Sequence, residues 1–188
     1  MANNGKGKVI QMLSPENYIR QKARNLPVKE CLINFNWEDE KIANIVIARQ
    51  HTNGNITLGI YLVDLLCLGV KETGYAFNIS PLEYREKIEQ FKDGDHFDQI
   101  SYELAHNIIY STIGFAEDYG FNPHKDFTST TCFILEDDTD DIPFIDIECG
   151  HNGLPAYMPG PDDNMVRIKQ VTAQLEREAG PENYFILN

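Results

Sequence analysis

The sequence predicts an α+β domain, a mainly antiparallel sheet packed by three to four helices. Three observations carry this expectation. Asn53-Gly54 separates two apolar, β-branched-rich runs, 42–51 and 55–70, and Asn-Gly between such runs is the strongest short hairpin signal. Ser80-Pro81-Leu82-Glu83 is a capping box, in which the serine hydroxyl and the glutamate carboxylate each take a free amide at a helix start. Finally, strands and helices do not alternate as regular βαβ units, which argues against a doubly wound sheet.

Taken in order, the elements follow from local chemistry. Ser14-Pro15-Glu16 opens a first helix to about residue 24: serine caps, proline fits the first helical position, and glutamate suits the positive end of the dipole. Residues 28–35 read as a strand, with Cys31, Leu32, Ile33 and Phe35 apolar, and 36–41 as a charged turn around the only tryptophan, Trp37. In the hairpin that follows, the run 55–70 is almost continuously apolar, so it is expected to be one long central strand covered on both faces. The capping box starts a helix to about residue 91, residues 92–97 form a loop, and a longer helix covers 98–119. Its end is marked by Gly120, at a left-handed cap position, and by Pro123. Residues 130–135 and 142–149 read as a hairpin around the acidic turn 136–141. His151-Asn152-Gly153 turns into 154–158, Pro159-Gly160-Pro161 leads into a last helix at about 163–179, and 184–187 makes a final strand. Residues 1–188 are expected to form a single domain, the amino-terminal part of a longer protein being one explanation of the apolar end.

Totals bound the function. The length is ample for a self-sufficient core, and no run approaches the roughly 20 apolar residues of a membrane helix. The stretch Met1 to Lys8 is polar and no signal-peptide run follows it. Cys31, Cys67, Cys132 and Cys149 stand singly, which reads as free thiols in a reducing compartment, and the cytoplasm is the expected location. Net charge is −13 and unevenly spread: residues 1–30 hold Lys6, Lys8, Arg20, Lys22, Arg24 and Lys29, whereas 126–188 hold thirteen acids against Arg167, Lys169 and Arg177. Metal-free nucleic-acid binding is therefore not expected.

Few residues suggest chemistry. Asp64 sits within the apolar run, and a carboxylate there needs a cation, several N–H donors, a metal or a raised pKa; Arg49, Lys71, His106 and His124 are the available counter-charges. A hydrogen-bonded core aspartate satisfies the same demand without any catalysis. His124 and Asp126 follow a helix end and are two residues apart, suiting a metal pair or an acid–base pair, although Gly-Phe-Asn-Pro is also ordinary helix-stop chemistry. Asp146 and Glu148 share one side of an alternating segment, as metal-nuclease carboxylates do and as the solvated face of a strand does. The acidic run 136–141 lacks the sixth-position glycine and distal glutamate of a calcium loop. No nucleophile elbow, phosphate loop or dinucleotide fingerprint occurs.

Three strings together resemble the markers of a bacterial protein family without an assigned activity: Tyr61-Leu62-Val63-Asp64-Leu65-Leu66-Cys67-Leu68-Gly69-Val70-Lys71, then Tyr119-Gly120-Phe121-Asn122-Pro123-His124-Lys125-Asp126-Phe127, then Pro159-Gly160-Pro161-Asp162-Asp163. The resemblance implies a bacterial, cytoplasmic origin and transfers no reaction. Tyr119-Gly120-Phe121 followed by His124-Lys125 is also similar to a stretch of type II ribonucleases H, whose Asp-Glu-x-Gly-Arg-Gly segment has no counterpart here. The expected function is a non-catalytic binding or regulatory domain that works with another protein chain or a further carboxy-terminal domain and needs no cofactor. The rival is a metal-dependent hydrolase, a nuclease with an RNase H-like sheet, in which Asp64, His124 and Asp126 are both catalytic and ligands of a divalent metal such as Mg²⁺.

Overall fold

The structure is a computed structural model and describes residues 13–187; the polar stretch Met1 to Lys8, with Lys6 and Lys8, lies outside them. Five strands form one antiparallel sheet: β1 (Val28–Asn34), β2 (Ile42–Gln50), β3 (Ile56–Asp64), β4 (Gly69–Ile79) and β5 (Phe97–Ile100), in the order β4-β3-β2-β1-β5. Six α-helices occur among the described residues: α1 (Pro15–Lys22), α2 (Trp37–Glu40), α3 (Pro81–Lys92), α4 (Tyr102–Asp118), α5 (Lys125–Ser129) and α6 (Met165–Glu178). The excess over the expected three or four comes from α2 and α5, which are single turns of 4 and 5 residues. Two-residue strands β6 (Ala156–Tyr157) and β7 (Phe185–Ile186) pair in parallel, so the apolar carboxy-terminal run joins β6 and not the main sheet. No helix of the described residues is long and apolar enough to cross a membrane.

The Asn-Gly hairpin forms as expected: β2 and β3 pair from Ile42↔Asp64 to Gln50↔Ile56, with Gly54 at φ +86° in the turn. The long strand over 55–70 does not. β3 ends at Asp64, the chain reverses within four apolar residues, Leu65 to Leu68, and β4 returns antiparallel with Gly69 opposite Asp64. Polar turn residues are absent because all four of those residues are buried, and the Asp64 carboxylate supplies the acceptors that water gives an exposed turn. Gly69 closes the reversal at φ +63°, where an added Cβ would lie 3.1 Å from both the Ala116 Cβ and the Thr112 carbonyl oxygen of α4. β3 remains an inner strand, with β2 at the middle of the sheet.

Two further expectations are corrected. Residues 97–100 form β5 on the edge of β1, and α4 begins only at Tyr102, because the Ser101 hydroxyl accepts from the Leu104 N–H and caps it there. The hairpin over 130–149 is not formed: Thr131–Ile134 is a 3-10 turn, and 136–149 has no regular secondary structure. Side chains bond its backbone in place of a second strand: Tyr102, His106 and Asn107 of α4, Arg49 of β2, Tyr61 of β3 and Arg24.

The sheet is covered on both faces. On one, Ile33, Ile45, Ile47, Tyr61 and Val63 pack against α1, α4 and the 3-10 turn through Ile19, Ile108, Ile109 and Ile134. On the other, Tyr84 and Ile88 of α3 cover Leu32, Val46, Ala48, Ile56 and Leu58. A third cluster seats α6, through Val171 and Leu175, on Cys67, Leu68 and Tyr157. Each fully buried aliphatic side chain contributes roughly 1.5–3 kcal/mol, so these clusters, rather than helix propensity, hold the helices in place.

Candidate functional site

Asp64 is 3% exposed. Its Oδ1 accepts from the N–H groups of Leu66 and Cys67, each at 2.9 Å, and of Leu68 at 3.2 Å; the Lys71 ammonium lies 4.0 Å from Oδ2. Burial pushes the carboxyl pKa up, the three N–H bonds and Lys71 pull it back, and the balance remains upward. Of the counter-charges the sequence offered, Lys71 is the one in place. Arg49, 1% exposed, instead donates to the carbonyl oxygens of Ile134, Arg24 and Leu26 and to the Glu136 carboxylate.

The turn that Asp64 organises is a fastening point for the rest of the chain. The Leu65 N–H donates to the Lys41 carbonyl, the Leu65 carbonyl accepts from Gly150, and the Leu66 carbonyl accepts from Ala156. Cys67 and Leu68 face the α6 cluster. One buried carboxylate thereby shapes a turn to which α2, the segment ending at Gly150, β6 and α6 are all attached. The third recognised string meets the same region: Asp163 accepts from the Gly160 N–H and the Tyr157 hydroxyl, each at 2.8 Å, which with Lys71 and Arg167 holds its carboxyl below the usual range.

His124 and Asp126 come together at the start of α5. The His124 Nδ1 accepts from the Asp126 N–H at 3.2 Å and lies 3.8 Å from its carboxylate, while the His124 N–H donates to the Val70 carbonyl at 2.9 Å. The pair caps a short helix beside β4. Among the described residues no three His, Cys, Asp or Glu side chains are grouped to hold a metal ion, so Asp64 does not join them in one coordination set. The cysteines are free thiols, two of them buried, and burial pushes Cys31 up to about 12 and Cys149 up to about 11, so neither is a ready thiolate.

A concavity lies elsewhere. A cleft of about 540 Å³ opens between α2 and residues 145–148. Trp37, Leu65, Leu104, Ile145 and Ile147 supply its apolar lining, and Glu38, Asp39, Asp146 and Glu148 give it four carboxylates. The one cation among its described lining residues, Lys41, sits 3.9 Å from Glu148, at the left-handed residue that ends α2. Asp146 and Glu148 are exposed, as the solvated-face reading requires, although no ladder runs through them.

The far wall is the irregular strap 136–149, and α4 holds it by side chains from one face. The Tyr102 hydroxyl accepts from the Glu136 N–H at 2.8 Å. His106 Nε2 is 3.2 Å from the Glu136 carbonyl, which can only accept, so Nε2 carries the proton. Asn107 donates to the Pro143 carbonyl and accepts from the Ile145 N–H, both at 3.0 Å. Sequence reasoning found the Asp146–Glu148 alternation but missed Trp37, Glu38, Asp39 and Lys41 as the opposing wall. The available signal was a lone tryptophan followed by three acids in a turn too short to bury it.

Comparison with protein-family profiles, with curated proteins and with solved structures finds no match for this chain.

Proposed function

We propose that the chain is a non-catalytic binding or regulatory domain of a bacterial cytoplasmic protein, and that the cleft between α2 and the strap receives another protein chain or a further domain. The observation that carries this reading is the make-up of the cleft: apolar side chains beside four carboxylates, with no serine, threonine, cysteine or histidine among its described lining residues. Such a surface offers hydrophobic area and charge recognition to another chain. Nucleic acid fits poorly, because a net charge of −13 repels a phosphate backbone.

Site-specific photocrosslinking tests the reading. With a photoreactive benzoylphenylalanine in place of Glu148, the full chain in its source cells is expected to yield a discrete crosslinked protein that the same group at Glu86, exposed on α3, does not. Identical patterns from the two positions would remove the cleft from consideration. The rival hydrolase, with Asp64, His124 and Asp126 around a divalent ion, makes an opposite statement about metal. A ligand bound at a hundred times its dissociation constant stabilises by roughly 2.7 kcal/mol, so Mg²⁺, Mn²⁺ or Zn²⁺ would raise the melting temperature by several degrees if that reading held.

A further inference from the structure

The strap that walls the cleft has strand-like side-chain alternation without a strand's partner. From Phe144 to Cys149 exposed and half-buried residues alternate one by one, the period of two of extended chain. Ile145, Ile147 and Cys149 point inward, Asp146 and Glu148 outward. Yet among the described residues the N–H groups of Asp146, Ile147, Glu148 and Cys149 donate no hydrogen bond, and the carbonyls of Phe144 to Cys149 accept none, between the anchors at Ile145 N–H and Gly150 N–H. Backbone groups in such a row are satisfied by water until another extended segment replaces it. Resting on the binding reading above, we infer that the cleft works by strand addition: an extended, basic segment of another protein pairs with the backbone of 145–149.

Charge and shape name the occupant. The carboxylates of Glu38, Asp39, Asp146 and Glu148 line the cleft and, among the described residues that line it, only Lys41 opposes them, so an incoming strand carrying arginine or lysine at alternate positions meets complementary charge. Its intervening apolar side chains lie over Leu104, Ile147 and Trp37, and an arginine can stack on the indole. A second copy of this chain is disfavoured, since two chains of net charge −13 repel each other on approach. In strand addition the main-chain bonds supply affinity and alternate side-chain positions supply selection, which matches a wall offering both.

Trp37 is the only tryptophan and lines the cleft, so its fluorescence reports occupancy without a label. The purified full chain is titrated with an eight-residue peptide of alternating arginine and valine. Two controls keep its length: one with glutamate for arginine, one with prolines for two valines, which retains the charge and removes N–H donors. The expected result is a saturable change in Trp37 emission with the arginine–valine peptide, weakened at least about tenfold by the prolines, absent with the glutamate peptide and reduced by salt. Joint Asp146→Lys and Glu148→Lys substitution is expected to abolish the response; both side chains are exposed, and circular dichroism verifies the fold.

Equal binding of the proline peptide would overturn strand addition in favour of charge alone. Binding by spermidine as tight as by the peptide would make the cleft a small-cation site, and no response to any probe would also refute the inference. These failures leave the crosslinking result untouched, since that experiment asks whether any chain occupies the cleft and this one asks how.

Discussion

The sheet and the strap are held by opposite means. From β1 to β4, backbone ladders tie each strand to its neighbours, and side chains are left to fill the two faces. In the strap 136–149 side chains do the tying: Tyr102, His106 and Asn107 from α4 and Arg49 from β2 reach out and hold the strap's backbone and Glu136. A ladder spreads its binding over many modest bonds, whereas the strap depends on a few groups whose loss leaves buried partners unsatisfied. The region richest in regular structure should therefore tolerate single substitutions, and the irregular cleft wall should not.

The largest expected effect sharpens this contrast at the point where the two regions meet. Arg49 belongs to a sheet strand, but its guanidinium binds the carbonyls of Arg24, Leu26 and Ile134 and the carboxylate of Glu136. Arg49→Ala would orphan all of them and should lower stability by about 4 kcal/mol, the usual cost of breaking a buried charged network. Melting should then fall by roughly 10 °C for a domain of this size. An unchanged melting temperature, with only the strap opened to protease, would mean that sheet and strap are energetically separate and would break the comparison.

Asp64 comes next. Asp64→Ala removes the acceptor of three buried N–H groups and should cost about 3 kcal/mol. Asp64→Asn keeps an oxygen where Oδ1 stands and discards a charge that burial already disfavours, so it should fall within about 1 kcal/mol of the parent. Chemical denaturation of both variants measures the difference. An alanine variant as stable as the parent would deny Asp64 its fastening role and return weight to the hydrolase reading.

The same contrast separates what the sequence made legible from what it did not. The hairpin of β2 and β3, the capping box at Ser80, the start of α1 and the cap at Gly120 rest on contacts within a few residues, so residue type alone reveals them. The reversal after Asp64 was hidden because its amides are satisfied by one buried carboxylate and its side chains are as apolar as a strand's. β5 and the strap were misread for a related reason. Their partners lie far along the chain, at Cys31 to Asn34 for β5 and, for the strap, at Asn107 and at Arg49 through the Glu136 carboxylate. Alternation in 144–149 was read correctly as solvated against covered, but the covering is a helix face and not a second strand. In the candidate site, the isolated residues Asp64, His124 and Asp126 are visible, whereas the cleft needs α2 and the strap brought together from distant parts of the chain.

Asn107 probes the strap more locally. It is 8% exposed, and its amide bonds the Glu103 carbonyl, the Pro143 carbonyl and the Ile145 N–H. Asn107→Ala should cost about 2 kcal/mol. The loss should appear first as faster amide exchange and proteolytic nicking in 136–149, with exchange in β2 and β3 unchanged. Uniform acceleration across the sheet would show that the strap is part of one cooperative unit after all.

The smallest expected effect concerns pH. His106 is 1% exposed, sits between the rings of Tyr102 and Tyr110, and donates from Nε2 to the Glu136 carbonyl. Burial lowers its pKa from the ordinary 6.5, and the nearby Asp138 and Glu136 carboxylates, with the Glu136 carbonyl bond, only partly restore it. Below 6.5 the unfolded chain takes up a proton on this imidazole while the folded chain resists, so stability should fall as pH drops from 6.5 toward the lower folded value. Carboxylates that the fold holds ionised, such as Asp163 and Glu136, add their own losses only nearer their ordinary range, below roughly pH 5. Between 6.5 and about 5 the histidines therefore lower stability as pH falls, while Asp64, whose carboxyl pKa burial raises, acts in the opposite sense. The histidine share is read from the difference between parent and variant. His51, also lowered by burial, adds to the slope there, so His106→Gln should flatten it without abolishing it. Glutamine can still donate to the Glu136 carbonyl, which keeps the strap tied at pH 7.5 and makes the comparison fair. Melting temperatures of parent and variant across that window measure the slopes. Parallel lines would mean that His106 titrates equally in both states, and its burial against the strap would then play no part in holding the cleft wall.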